Sequence, residues 1–171
     1  MNNMKTKIVS IVTLIFGFIA GIVFSGIIIS VSSGEMMIKE LKSPFDFDKT
    51  VEVMVNNINN KQGWHVTEVI DQNKESIENG GTPIGNFKII KYCSGYYSSM
   101  MLKDDDRKKM GNLMPKAFAV YEKSTGEVYI STMNGAIMGK LFGGETEIII
   151  EKVSLEVEDM MRFINLKFTL F

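Results

Sequence analysis

From Ile8 to Val31 the chain carries no Asp, Glu, Lys, Arg or His, and its only hydroxyl residues there are Ser10, Thr13, Ser25 and Ser30. A helix rises about 1.5 Å per residue, so roughly 20 such residues cross a hydrocarbon core of about 30 Å. The run is long enough to span a bilayer with some tilt. Lys5 and Lys7 stand before it, Glu35 and Lys39 after it, whereas a helix buried in a soluble core rarely extends this far uncharged. Short basic flanks stay in the cytoplasm, so residues 1–7 are expected inside the cell. Everything beyond the span then faces the periplasm or cell exterior. A cleaved signal peptide is the alternative. Its apolar region is usually about 7–15 residues and ends at a small-x-small site; here Ile27–Ile29 occupies the place where small residues are wanted. The sequence favours a retained single-pass anchor over residues 8–31.

Within the span Gly17, Gly21 and Ser25 recur every fourth position on one helix face. Small residues at that spacing let two helices approach closely, so a homodimer formed through this face is one expectation. Beyond the span, Ser32-Ser33-Gly34 leaves a tether of residues 32–34. So short a link would keep the following domain, residues 35–165, near the bilayer surface.

Nineteen basic residues against twenty acidic ones, a net charge of −1, set up no net field that would attract nucleic acid or acidic substrates. The one dense charge cluster, Lys103 to Lys109, is mixed in sign and reads as a solvated loop or helix end. Cys93 is the single cysteine, which rules out an intramolecular disulfide, and His65 is the single histidine. A zinc site needs three or four Cys, His or carboxylate ligands, and that kit is missing. A Ser-His-Asp triad would have to use His65, yet no G-x-S-x-G motif accompanies it, and no phosphate-binding glycine loop occurs. No residue is nominated as catalytic, and no cofactor is implied.

Periodicity divides the domain into short elements. Glu35–Lys42 reads as an opening strand. Asp46 is placed to cap a helix whose stripe is Phe47, Val51, Met54, Val55 and Ile58, with Gly63 closing it. Trp64–Ile70 alternates as a strand, Asp71–Asn79 as a short polar helix, Asn86–Tyr92 as a second strand and Ser94–Lys103 as a helix. Ala117–Tyr121 and Val128–Ile130, joined by Ser124-Thr125-Gly126-Glu127, form a hairpin. A glycine-bounded piece, Gly135–Gly143, leads to a closing helix over Glu145–Ile164 with Ile149, Val153, Val157, Met160, Met161 and Ile164 on one stripe. Helices and antiparallel strands in this order predict a two-layer α+β domain.

Leu113-Met114-Pro115 ahead of the hairpin, Ala119-Val120-Tyr121 in its first strand and Val128–Asn134 in its second resemble the DUF302 family, a domain of unknown function. Ser43-Pro44-Phe45-Asp46-Phe47, Gly63-Trp64, Tyr92-Cys93 and Met138–Gly144 follow in matching order. The resemblance covers about residues 35–165, leaving 166–171 as a tail. It implies a β-α-β(4)-α arrangement with an antiparallel sheet, similar to the TATA-box-binding-protein-like fold and often dimeric, and no established activity. Similar domains often carry a Cys directly after the Met-Pro step; this chain has Lys116 there, so a role needing two cysteines is not expected.

Cys93 ends a strand just before a helix start, where a thiol can be activated by the dipole; the plainer reading is a small buried hydrophobe. Methionine is abundant, 13 in all, and thioethers bind Cu(I); Met110 with Met114, or Met133 with Met138, could meet near Cys93. Met133, Asn134, Met138 and Phe142 lie in the glycine-dense stretch, which either borders a pocket or is a tight turn. Trp64, Tyr96 and Tyr97 suit core or interface, since no basic groove accompanies them. Two function classes follow. One is a non-catalytic membrane-surface module that binds an apolar small molecule or another envelope protein, with Cys93, Met133, Asn134, Met138 and Phe142 as candidate contacts. The other is a thiol- or metal-linked redox protein centred on Cys93.

Overall fold

A computed structural model describes residues 2–165, except for the side chains of 2–6, 27–33, 35 and 165. The tail expected at 166–171 lies outside the described residues. The chain divides into two compact units between Met36 and Met37.

The first unit is formed by helix α1 (Asn2–Met37), whose last residue, Met37, belongs to the second unit. Every side chain from Lys7 to Gly26 is exposed, and this stretch has a mean hydropathy of 2.6. The Thr13 hydroxyl donates to the Val9 carbonyl at 2.9 Å, so this polar group is satisfied within the helix, as an apolar surrounding requires. Residues 32–34, read as the tether, continue helix α1, and the strand expected from Glu35 begins only at Ile38. A lone glycine costs about 1 kcal/mol in a helix and serine less, so Ser32-Ser33-Gly34 is too weak a breaker to end α1.

The second unit is an α+β domain on a five-stranded antiparallel sheet. Its strands are β1 (Ile38–Lys42), β2 (His65–Asp71), β3 (Phe87–Cys93), β4 (Lys116–Glu122) and β5 (Val128–Met133), in the order β1-β5-β4-β3-β2. Helix α2 (Phe47–Asn60) carries the chain from one sheet edge to the other. Asp46 caps it by accepting from the Lys49 amide at 2.8 Å. Its inward stripe is Phe47, Thr50, Met54 and Ile58, with Val51 and Val55 packed alongside. Buried Thr50 donates to the Asp46 carbonyl at 2.6 Å, so its hydroxyl is not left unsatisfied.

Alternation sorts the sheet's two faces. Ile90 and Tyr92 on β3, Phe118 and Val120 on β4, and Val128 and Ile130 on β5 are buried together beneath α2 and α6 (Gly144–Met160). The opposite phase carries a ring row across the sheet, Phe87–Tyr121–Tyr129, with centroid separations of 5.3 and 6.3 Å.

Helix α4 (Gly95–Leu102) follows β3, and a 3-10 helix, Asp105–Leu113, leads to the cis Met114–Pro115 peptide and β4. Helix α5 (Gly135–Phe142) turns through Gly143 into α6, and α7 (Arg162–Asn165) ends the described chain; α3 (Gln72–Glu78) lies between β2 and β3. The charged stretch at 103–109, expected as a solvated loop or helix end, is exposed apart from Arg107 and is largely 3-10 helix; the Arg107 side chain turns inward, only 13% exposed. The closing helix is broken at Met161 instead of running unbroken to Ile164. The stripe expected of it is nonetheless buried throughout.

Candidate functional site

Where β3 ends and β4 begins, the sheet, α4, the 3-10 helix and the α5–α6 pair enclose a cavity of ≈ 650 Å³. Its construction follows from the chain's local rules. The end of β3 delivers Tyr92 inward and Cys93 beside it. Cys93 is half-buried, and its Sγ lies 3.1 Å from the Ser98 hydroxyl one helical turn along. On the far side Met101, Met110 and Ile149 form a small apolar cluster supported by Leu113 and Met114. Arg107 ties this wall together. It donates to the carbonyls of Met101 at 3.2 Å and Met100 at 3.3 Å, closing the end of α4, and pairs with Glu145 at 2.5 Å.

Trp64 and Tyr97 form an aromatic wall, with centroids 5.8 Å apart. Both donate to one carboxylate on α6: the Trp64 indole to Glu156 Oε2, and the Tyr97 hydroxyl to Glu156 Oε1 at 2.6 Å. The bond to Glu156, and then burial, push the Tyr97 phenol up to about 12. Tyr92 stacks on Phe118 at 4.6 Å. Its hydroxyl is fully buried and closes no hydrogen bond among the described residues. Burial pushes that phenol up, and the neighbouring Thr132 hydroxyl, which donates to the Ala117 carbonyl at 3.3 Å, only moderates the rise.

Lys116 is the cavity's one lysine or arginine among the lining residues. It shares the inward phase of β4 with Phe118 and Val120, sits opposite Tyr92 in the sheet register, and is half-buried. Its ammonium has no ion-pair or hydrogen-bond partner among the described residues, and burial pushes its pKa down.

Of the residues singled out in the sequence, Cys93, Met133 and Met138 line this cavity together with Met110 and Met114. Asn134 and Phe142 are not among the lining residues; Phe142 is 45% exposed. Gly17, Gly21 and Ser25 fall on one exposed face of α1. The glycine-dense stretch is helix α5, where a tight turn was the alternative. Its Gly135 lies against α6, and an added Cβ there would come within 2.0 Å of Ser154 Oγ. Trp64 and Tyr97 are a buried and a half-buried wall, in keeping with a core role. Lys116, Tyr92 and Glu156 were not foreseen as site residues. For Lys116 a signal existed, because a lysine on the apolar phase of a strand is out of pattern.

Fold and site together define the class: an α+β domain with a five-stranded antiparallel sheet and an end cavity, preceded by an apolar helix suited to a membrane span or a signal. Residues 39–164 match the family model described as Domain of unknown function DUF302, and the chain belongs to that family. A crystal structure of an uncharacterized conserved DUF302 protein from Bacillus stearothermophilus is similar at a TM-score of 0.66 and 14% identity, covering 75% of this chain and 98% of that one. At that identity the likeness is one of fold. No curated protein matches the chain.

Proposed function

We propose that this chain is a membrane-anchored, extracytoplasmic binding module whose end cavity takes an apolar small molecule. The cavity carries the reading. Its volume of ≈ 650 Å³ falls in the range of small-molecule sites, roughly 300–1,000 Å³, and its lining is mostly methionine, aromatic and aliphatic with a few polar groups. Span, orientation and partner choice belong to the same reading. The exposed apolar surface of α1 favours lipid around it, and the basic residues before it support a cytoplasmic N-terminus. Cys93 is a built-in reporter, being the only thiol and part of the lining. With the full chain in liposomes, saturating N-phenyl-1-naphthylamine, an uncharged apolar probe, is expected to slow maleimide labelling of Cys93 several-fold. Labelling that is unaffected by the probe overturns the binding reading.

A homodimer associated through Gly17, Gly21 and Ser25 is part of this proposal. Replacing Gly17 and Gly21 with Ile and finding unchanged self-association in a membrane reporter assay removes it.

The second reading is a thiol- or metal-linked redox site at Cys93. Its support is that Met101, Met110, Met114, Met133 and Met138 line the same cavity as the thiol, a soft donor set suited to Cu(I). An unpaired lysine in that lining opposes a cation, which is why the apolar-ligand reading is preferred. Cu(I) titration against a competing chelator decides, and no uptake dismisses it.

A further inference from the structure

We propose that the ligand of this cavity is an amphiphilic acid: an apolar body with a single anionic head that lies against the Lys116 ammonium and accepts from the Tyr92 hydroxyl. This rests on the apolar-ligand reading and goes one step beyond it.

The cavity leaves polar groups unsatisfied. Placing a lysine on the inward phase of β4 removes its ammonium from bulk water, and such a charge is costly unless something opposite in sign accompanies it. No carboxylate among the described residues does so. Glu158 and Lys39 share a small recess with Lys116, and there the Glu158 carboxylate is taken by Lys39 at 2.6 Å. Two lysines and one glutamate therefore meet there, which leaves one positive charge uncompensated. Tyr92 adds a second unused group, a buried O–H without an acceptor of normal geometry. Lys116 and Tyr92 are paired neighbours across β3 and β4, and both line the cavity. An ammonium and a phenol O–H both donate, and an anionic oxygen is the acceptor that would satisfy them together. Ser94, Ser98, Asn112, Ser131 and Thr132 add neutral polar groups, and the rest of the lining, from Met101 and Met110 to Ile149 and Val153, is mostly apolar. Charge at one place and apolar surface elsewhere is the complement of an amphiphilic acid.

The test uses two probes with one skeleton, N-phenyl-1-naphthylamine and its sulfonated counterpart 8-anilino-1-naphthalenesulfonate. Trp64 is the chain's only tryptophan and lines the cavity, so energy transfer from it to either probe reports occupancy in full chain reconstituted into liposomes. The sulfonate is expected to bind more tightly. Lys116→Met keeps most of the side chain's length and removes its charge, and should cost the sulfonate about ten-fold or more, the scale of one charge-assisted hydrogen bond. The neutral probe should bind as before. Lys116→Arg should restore the preference, and Tyr92→Phe should weaken the sulfonate alone. Equal binding of both probes, unchanged in Lys116→Met, overturns the acid-head inference and leaves the apolar cavity standing. Binding of neither probe to the native chain defeats both readings. Displacement of the sulfonate by oleate identifies the acid as lipid-derived, whereas displacement by naphthoate but not oleate identifies it as compact and soluble. Both results support the anionic head.

Discussion

Glu156 holds two aromatic donors at once, and the Tyr97 bond has a pH signature. A phenol donates only while protonated, and its ionised form would set a second negative charge against the carboxylate. The Tyr97 phenol is accordingly pushed from its ordinary value of 10.0 up to about 12. The sign follows from linkage. A raised folded-state pKa means that the contribution is fully present below pH 10 and is lost as pH rises through 12. Tyr121 shares the window, pushed up to about 12 by burial and by its bond to Glu40. Denaturant unfolding followed by Trp64 emission should therefore show the midpoint falling between pH 10 and pH 12. Tyr97→Phe should flatten part of that fall, and Tyr97→Phe with Tyr121→Phe more of it, the buried Tyr92 phenol supplying a remainder; an unchanged slope in the double variant would refute the assignment. Lys116 illustrates what can be read at this scale and what cannot. Counting by twos from Phe118 and Val120 puts it inward without any structure. That it lacks a counter-charge depends on Lys39 of β1 and Glu158 of α6, which belong to remote segments and pair only in the folded chain.

Among the elements, the α5–α6 corner and the 3-10 helix shape the cavity most. Gly135 lets α5 approach α6 closely; a methyl there meets Ser154 Oγ at 2.0 Å and Ser154 Cβ at 3.3 Å. The serine must rotate and give up its 2.9 Å bond to the Ile150 carbonyl. Gly135→Ala is expected to destabilise the domain by about 1–3 kcal/mol. Ser154→Ala in the same chain should recover much of that loss, and the test is a double-mutant cycle of unfolding midpoints with an interaction term clearly different from zero. Across the cavity, Arg107→Ala removes donors from the Met100 and Met101 carbonyls. It should cost about 1.5–3 kcal/mol, typical of hydrogen bonds to charged groups, and quicken maleimide labelling of Cys93 by loosening the wall. Labelling at the native rate would show that Arg107 does not hold it. The strands, α2 and the hairpin are legible in the sequence because each buries one face, and burial imposes a period of two or 3.6. The 3-10 helix is not, because its charged residues give no apolar period and its order comes from the Asp104 cap and from Arg107 folding inward. Helix α5 is hidden for a related reason: its glycines read as turn formers until α6 supplies the close neighbour that makes them necessary.

For the whole molecule the governing fact is that an apolar helix and an independently packed domain belong to one covalent chain. Leu14, Phe16 and Phe18 are each more than 70% exposed on α1, and fully burying one such side chain contributes about 1.5–3 kcal/mol. A whole helix of them favours the bilayer far beyond what a single charge can offset. Membrane extraction separates the two fates open to such a helix. If it is retained, alkaline carbonate should leave the chain in the membrane pellet at its full mass of 19.2 kDa, and external protease should digest the domain in spheroplasts of a bacterial host. A cleaved signal would instead release a shorter soluble product, and that result would overturn the anchor. A graded test comes from Phe16→Lys, which sets a charge near the middle of the apolar run. The substitution costs about 2.5–3.5 kcal/mol at a helix centre, less than the remaining apolar residues supply. Phe16→Lys alone should therefore still insert, whereas Phe16→Lys with Ile19→Lys and Val12→Lys should move the chain to the soluble or aggregated fraction. If the single variant already leaves the membrane, the helix is a marginal inserter, and a permanent anchor is the wrong description of it.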